Sequence, residues 1–298
     1  MRVFVTGATG FIGTAVVAEL IGAGHQVLGL SRSDAGAAAL TAAGAEVHRG
    51  SIAELDRLQE GAARSDGVIH LAFNHDFSTF LANCEDDRRV VAALGEALAG
   101  SGRPLIVTSG TLVSRAEPGK AATEDLPPLG SDVNPRAGSE ETAMSLAADG
   151  VNASVVRLPQ VHNPIKQGLI TRAIAVYREK GECVYVGDGA NRWAAAHLLD
   201  VARLYRLALE KAERGATYHA VAEEGVTFRD AVLAISRRLQ LPVRSIAPED
   251  ASAYFGWLAM FVGRDAPVSS ALTRQKLGWQ PVGPGLIADL ERLELVDG

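Results

Sequence analysis

The first thirteen residues, Met1-Arg-Val-Phe-Val-Thr-Gly-Ala-Thr-Gly-Phe-Ile-Gly13, restrict this chain more than any other stretch. Residues 2–6 alternate in character and carry branched and aromatic side chains, which predicts a strand. Gly7, Gly10 and Gly13 follow at three-residue spacing. An apolar helical pattern begins at Ile12 and continues through Val16, Leu20 and Ile21. A strand, a glycine turn and a helix N-terminus in that order form a phosphate-binding device. Gly7 permits the sharp turn, Gly10 removes a Cβ where backbone must approach a pyrophosphate, and Gly13 lets the helix pack close to the strand. The N–H groups of the first helical turn face the negative charge. Gly7, Thr9, Gly10, Phe11, Ile12 and Gly13 are the expected contacts.

The second strand, residues 26–30, ends in Ser31-Arg32-Ser33. In dinucleotide folds this strand end meets the adenosine ribose, where a carboxylate would bond the 2′-hydroxyl and repel a 2′-phosphate. No carboxylate appears before Asp34. Arg32 offers a planar, permanently charged fork, and Ser31 and Ser33 offer hydroxyls. The expected cofactor is therefore NADP rather than NAD.

Apolar runs and turn signals predict strands at 46–48, 67–72, 104–110 and 153–159, with helices at 34–43, 53–63, 84–99 and 139–148 between them. The continuous apolar run of residues 67–72 fits a strand buried on both faces, as in a parallel sheet. Alternating strands and helices imply an α/β fold with a doubly wound parallel sheet. Beyond Pro159 the rhythm loosens. Helices are expected at 169–180, 197–214, 228–239, 248–262 and 286–295, and strands at 183–186, 217–221 and 243–246. The expected division is a dinucleotide-binding domain over 1–160 and a smaller α/β substrate-binding region over 161–298, with about 190–222 returning to the first.

With 298 residues, 47% of them apolar, the chain can bury a large core. Its formal charge of -6 gives no global basic footprint, so no nucleic-acid partner is expected. Cys84 and Cys183 offer neither a disulfide framework nor metal-ligand spacing. The chain opens as a strand and holds no apolar run long enough to span a bilayer, so a cytoplasmic protein without membrane contact is expected.

These residues resemble an extended or atypical short-chain dehydrogenase/reductase of the NAD-dependent epimerase/dehydratase type, with a Rossmann-type sheet. The resemblance spans nearly the whole chain. It rests on Thr6-Gly-Ala-Thr-Gly-Phe-Ile-Gly13, Gly67-Val-Ile-His-Leu-Ala72, Thr108-Ser109, Val156-Arg-Leu-Pro159, Gly187-Asp-Gly189 with Trp193 and His197, and Leu277-Gly-Trp-Gln-Pro281. It implies that Leu71, Ala72, Phe73, Thr108 and Pro159 join the cofactor contacts. It also implies a small-molecule substrate held between the sheet's C-terminal edge and the C-terminal region, and a homodimer of a kind common in the family.

One departure is chemical. The family places a tyrosine four residues before a lysine on the helix after strand five, and the lysine lowers the tyrosine's pKa. Here Asn134-Pro-Arg-Ala-Gly-Ser-Glu140 puts Arg136 at the tyrosine position and Glu140 at the lysine position, and no tyrosine precedes Tyr177. Other groups must then carry any proton. His75, in Asn74-His75-Asp76 after the fourth strand, is one candidate, with Asp76 to orient it. The alternative for this trio is loop bonding or helix capping. Ser109 and Thr111 could bond a substrate carbonyl or only local backbone. Arg136 and Glu140 could pair with each other at i,i+4 or with a substrate. His162, Trp193 and His197 are candidates for the substrate pocket or for core roles. The aromatic run through Tyr254, Phe255, Trp257 and Phe261 is a core stripe or an apolar pocket wall. His70 reads as a satisfied core histidine, and no metal site is expected. The leading expectation is an NADP-dependent oxidoreductase acting on a small or medium apolar carbonyl, alcohol or related unsaturated group. The alternatives are an NADP-binding sensor without turnover and a nucleotide-sugar epimerase or dehydratase.

Overall fold

The computed structural model describes residues 1–295. In chain order the first half runs β1 (Arg2–Thr6), α1 (Phe11–Gly22), β2 (Gln26–Ser31), α2 (Asp34–Ala42), β3 (Glu46–Arg49), α3 (Leu55–Ala63), β4 (Gly67–His70), α4 (Phe80–Leu98), β5 (Leu105–Gly110), α5 (Ala137–Ala148) and β6 (Ala153–Leu158). The second half runs β7 (Gln160–His162), α6 (Leu169–Lys180), β8 (Cys183–Val186), β9 (Arg192–His197), α7 (Leu198–Lys211), β10 (Thr217–His219), β11 (Glu223–Thr227), α8 (Phe228–Leu239), β12 (Val243–Ile246), α9 (Ala251–Phe255), α10 (Ala259–Val262), α11 (Ala271–Leu277) and α12 (Leu286–Glu291).

Seven strands form one parallel sheet in the order β10-β6-β5-β4-β1-β2-β3. Its residues alternate between two cores. Val3 and Val5 pack with Val16, Val17 and Leu20 of α1 and Leu204, Tyr205 and Ala208 of α7. Phe4 faces the other way, onto Leu58 and Ala62 of α3 and Val90, Val91 and Leu94 of α4. Both faces are covered, which is why these strands read as continuous apolar runs. The architecture is the Rossmann-type doubly wound sheet expected from the sequence.

The C-terminal region holds a third core, built on α6, α8 and α12 and on β8, which pairs with β12. β9 joins β7 in parallel and β11 antiparallel. From β9 the chain returns: α7 packs on α1, and β10 extends the main sheet beside β6.

Several expectations fail locally. Residues 248–262 are not one helix. They form a 3₁₀ turn Pro248–Asp250, α9, a second 3₁₀ turn Gly256–Leu258, and α10, broken where Gly256 takes a φ of 58°. β4 stops at His70 because the next two amides bond the Thr6 hydroxyl instead of a neighbouring strand. α4 begins at Phe80, four residues before the expected start, and α12 ends at Glu291 rather than at residue 295. The strands β7, β9 and β11 and the helix α11 were not expected at all. They are short and their pairing partners are distant, so local periodicity does not reveal them. Among the described residues no helix is long and apolar enough to cross a membrane.

Candidate active site

The glycine loop between β1 and α1 is shaped by close backbone contacts. Gly7 has a φ of 65°, and a Cβ there would lie 2.8 Å from the Ala72 nitrogen. A Cβ on Gly13 would overlap the Gly7 carbonyl oxygen. Thr6 Oγ1 accepts the amides of Leu71 at 3.2 Å and Ala72 at 3.3 Å, drawing the exit of β4 across the loop. Leu71, Ala72 and Phe73 therefore border the cradle, half-buried. No side chain caps α1 and no acidic residue stands in its first turn, so the amides beside Phe11, Ile12 and Gly13 stay open to an anion. The open amides and the close backbone approach fit the pyrophosphate of a dinucleotide.

At the adenosine end, Ser31 Oγ donates to the Ser33 carbonyl at 3.0 Å, and Ser33 caps α2 by accepting from Gly36 N at 3.1 Å. Thr9 comes close to the same turn, its methyl 3.2 Å from where a Gly36 Cβ would stand. Arg32 is exposed. Arg49, which the sequence did not single out, donates to the Ser33 carbonyl at 2.7 Å and to Asp34 at 2.6 Å. Two arginines thus flank the α2 N-terminus.

A buried network runs from the cradle to Arg136. Thr6 Oγ1 already accepts two amides, so its own proton goes to His70 Nδ1 at 2.7 Å. His70 Nε2 then donates to Asp87 Oδ1 at 3.0 Å. The other oxygen of Asp87 accepts from Arg136 Nη1 at 2.9 Å and from Ser139 Oγ. Burial pushes the Asp87 carboxyl up, but Arg136, His70 and Ser139 together hold it below the ordinary carboxylate range. Arg136 Nη2 also donates to the Thr108 carbonyl at 2.7 Å. Thr108 Oγ1 ties to the His70 carbonyl and to the Tyr205 hydroxyl. The guanidinium lies over the Phe73 ring, 4.4 Å from its centroid, and the edge of the same ring meets His75 at 5.2 Å. Arg136 is thus a fixed cation beside an imidazole at the carboxyl edge of the sheet.

His75 sits on an exposed loop. Burial of its ring against Phe73 lowers its pKa, the Phe73 backbone opposes this, and Arg136 and Arg172 lower it further. Asp76 does not orient it. Its carboxylate caps the 3₁₀ turn Phe77–Thr79 by accepting from Ser78 N at 3.0 Å and Ser78 Oγ at 2.6 Å. Asn74 binds Asn83 and the Asp76 amide. For Asn74 and Asp76 the capping role is the one observed.

The solvated Arg136–Glu140 pair does not form. Glu140 is 1% exposed and binds Arg157 of β6, itself 1% exposed. All five Arg157 donors are used, on Glu140, Ser114, His219 and the Leu126 carbonyl. Burial lowers the His219 pKa, which suits a ring accepting from Arg157 and donating to the Ser269 carbonyl. Glu140 is thereby closed off from solvent.

Ser109 is buried with its hydroxyl unpartnered. Thr111 borders a cavity of about 320 Å³ with Ser114, Arg115, Lys120 and Arg264. Lys120 pairs with Glu117, but no carboxylate pairs with Arg115 or Arg264 among the described residues. Burial and the neighbouring Arg115 lower the Arg264 pKa. Arg264 and Asn134 both donate to the Leu112 carbonyl, and Asn134 accepts the Arg136 amide, so hydrogen bonds link one wall of this cavity to the Arg136 backbone.

The three expected pocket residues lie deeper. Trp193 is 5% exposed, packs on Phe228 and donates to the Arg264 carbonyl. His162 is fully buried against Asp289, with burial lowering its pKa despite that carboxylate. His197 caps α7 by accepting from Leu199 N, its ring edge-on to His162. Pro159 is half-buried between β6 and β7. Among the described residues no cluster of histidine, cysteine and carboxylate could hold a metal ion. Besides Arg49, Arg115 and Arg264, sequence reasoning missed Asp87 and Arg157. The last two had a signal: Asp87 lies on the apolar face of α4, in line with Val90, Val91 and Leu94, and Arg157 interrupts a buried strand.

The sheet, the glycine cradle and the site at the strand ends define a dinucleotide-binding protein of the short-chain dehydrogenase/reductase superfamily. Residues 3–222 match the NAD dependent epimerase/dehydratase family, and the chain belongs to it. It is 46% identical over 295 residues to uncharacterized protein C2A9.02 of Schizosaccharomyces pombe, covering 97% of this chain and 98% of that one. It is 30% identical over 227 residues to the 2-alkyl-3-oxoalkanoate reductase of Stenotrophomonas maltophilia, covering 72% of this chain and 67% of that one. The fold resembles the dTDP-glucose 4,6-dehydratase DesIV of Streptomyces venezuelae, solved with NAD bound, at a TM-score of 0.79 and 20% identity over 98% of this chain and 96% of that one.

Proposed function

We propose that the protein is an NADP(H)-dependent oxidoreductase that interconverts a carbonyl and an alcohol on a small or medium substrate with an apolar body and an anionic group. The observation that carries this is Arg136, a guanidinium fixed by Asp87 and Thr108 and stacked on Phe73 beside His75. The glycine loop would hold a nicotinamide dinucleotide, which when bound would supply the hydride. Arg136 then stabilises negative charge developing on the substrate oxygen, a role that needs no proton. Its position is set by the buried His70–Asp87 pair behind it. His75 exchanges the proton with that oxygen directly or through water. Arg115 and Arg264 receive the anionic group, and the Stenotrophomonas relative, named for action on 3-oxoalkanoates, agrees with such a substrate. Arg32 and Arg49 beside the α2 N-terminus support NADP over NAD.

The test is oxidation of NADPH and of NADH by the purified protein over a panel of 3-oxo acids, neutral ketones and nucleotide-sugars. Saturable NADPH oxidation with 3-oxo acids, weaker with neutral ketones, is expected. Tight NADPH binding with no turnover on the panel would sink the proposal and favour a sensor. Nucleotide-sugar epimerisation or dehydration is a second reading, favoured by the same Arg115 and Arg264, which have no carboxylate partner among the described residues and whose charges also suit a diphosphate. Product formation from a nucleotide-sugar without net cofactor oxidation would establish it.

The pH dependence has a definite sign. The His75 pKa lies below the ordinary 6.5, so at neutral pH the ring is a proton acceptor, matched to alcohol oxidation. Reduction needs the protonated ring, which appears only as pH falls through the lowered pKa. The value of kcat/KM for reduction should therefore rise on acidification below pH 6.5 and that for oxidation should fall. His75→Gln should flatten both limbs and cost about 10²-fold or more. An unchanged profile in the variant would remove His75 from proton transfer.

A further inference from the structure

A run of aromatic rings leads outward from Arg136. Phe73, under the guanidinium, meets Phe80 edge-on at 6.4 Å, and Phe80 stacks on Phe77 at 5.8 Å. Phe77 stacks on Trp257 at 4.2 Å with the rings 18° apart, and Trp257 meets Phe261 at 6.2 Å. The Phe77–Trp257 stack joins two parts of the molecule that the sequence separates by 180 positions. Phe77 opens the 3₁₀ turn directly after the loop that carries His75. Trp257 lies on the 3₁₀ turn after Gly256, whose φ of 58° breaks the helical run. Both supports are single turns rather than packed helices. Trp257 remains 42% exposed, beside Met260 at 70%.

We propose that Phe77 and Trp257 form an aromatic clasp, at the outer end of the ring run that leads to Arg136, that selects substrates with a flat, conjugated or aromatic body next to the carbonyl. The proposal rests on the oxidoreductase reading for its substrate, and on the ring geometry for the selectivity. One offset stack is a weak bond, and a ligand ring offering an equal face can replace it. The two sides of the stack stand on separate segments, so it can part without disturbing either core. A flat ring then gains two faces, while a flexible alkyl chain gains only apolar contact and must lose rotamer freedom. The Phe77 ring is joined through Phe80 to Phe73 under the Arg136 guanidinium, so a ligand ring in the clasp extends a run of rings that ends at the fixed cation.

The three tryptophans make the clasp readable without turnover. Trp193 and Trp279 are 5% and 1% exposed, which leaves Trp257 as the one that a quencher in solution reaches. The probes are benzoylacetate and its aliphatic counterpart butyrylacetate, with NADPH present. In the wild-type protein benzoylacetate should protect Trp257 from acrylamide, and butyrylacetate should protect it far less. Phe77→Leu should make Trp257 more quenchable in the free protein and abolish that difference. In turnover, Phe77→Leu and Trp257→Leu should each lower kcat/KM for benzoylacetate about tenfold, by raising KM, and change butyrylacetate less than about twofold. NADPH affinity should stay unchanged in both. Protection by benzoylacetate without turnover of either probe would overturn the oxidoreductase reading and leave the clasp standing. Equal protection by the two probes, no protection by either, or equal losses on both in the variants would overturn the clasp.

Discussion

Glu140→Lys, which inserts the lysine that the family pattern would supply, is expected to yield no stably folded protein. The reason lies on the neighbouring strand. Glu140 and Arg157 are each 1% exposed and joined by three hydrogen bonds, so a lysine at 140 would bury two facing cations. The milder Glu140→Gln keeps the shape but leaves the Arg157 charge uncompensated, and should cost about 3–5 kcal/mol in chemical denaturation. Arg157→Met should cost a similar amount by stranding the carboxylate. The double variant Glu140→Met/Arg157→Met removes both charges and should recover most of the loss, because a buried pair contributes little net stability once its desolvation is counted. The Arg157 fork also holds the Leu126 carbonyl and Ser114, so the loop that borders the Thr111 cavity should loosen in the single variants. If Glu140→Gln costs less than about 1 kcal/mol, the pair does not hold this side of the site. The double variant Arg136→Tyr/Glu140→Lys should fail to fold for the same reason.

Gly13→Ala is expected to abolish dinucleotide binding, while Gly22→Ala on the same helix should be harmless. The Cβ at position 13 would overlap the Gly7 carbonyl oxygen, which is backbone and has little room to move. α1 must then back away from β1, which costs about 1–3 kcal/mol as overpacking. The larger effect is on aim. The open amides of the first α1 turn are useful only where they converge on the phosphates, and a shift near 1 Å misdirects all of them. A loss of NADPH affinity of about 100-fold or more is expected by isothermal titration. A Cβ at Gly22 meets nothing within 4 Å. Gly22→Ala should stabilise the helix by about 0.5–1 kcal/mol and leave affinity unchanged. Equal affinities for the two variants would mean that the glycine loop does not bind the cofactor.

The legible parts of this protein are those set by near neighbours. A glycine triplet between a strand and a helix, apolar runs of strand length, and caps such as Thr227 at α8 all act within a few residues, so they can be read along the chain. The six strands of the first half and their order of alternation with helices followed from such signals. The same locality explains the failure at 248–262, where helical periodicity was real but a glycine at positive φ divided it.

The partners of the charged groups were another matter. Arg136 and Glu140 stand at helical spacing, and the chain alone offered them to each other. Folding instead brought Asp87 to Arg136 from 49 positions away and Arg157 to Glu140 from 17. A buried charge takes whichever opposite charge the packing delivers, since leaving it unpaired costs more than any local preference can repay. The sequence alone therefore determined the glycine turn between strand and helix and the parallel sheet, because each is written in consecutive residues. Only the tertiary structure decided the surroundings of Arg136 and Glu140: the guanidinium is locked between Asp87, Thr108 and Phe73, and Glu140 is turned away into the core. That choice depends on distances across the sheet, and those distances exist only once the layers have packed.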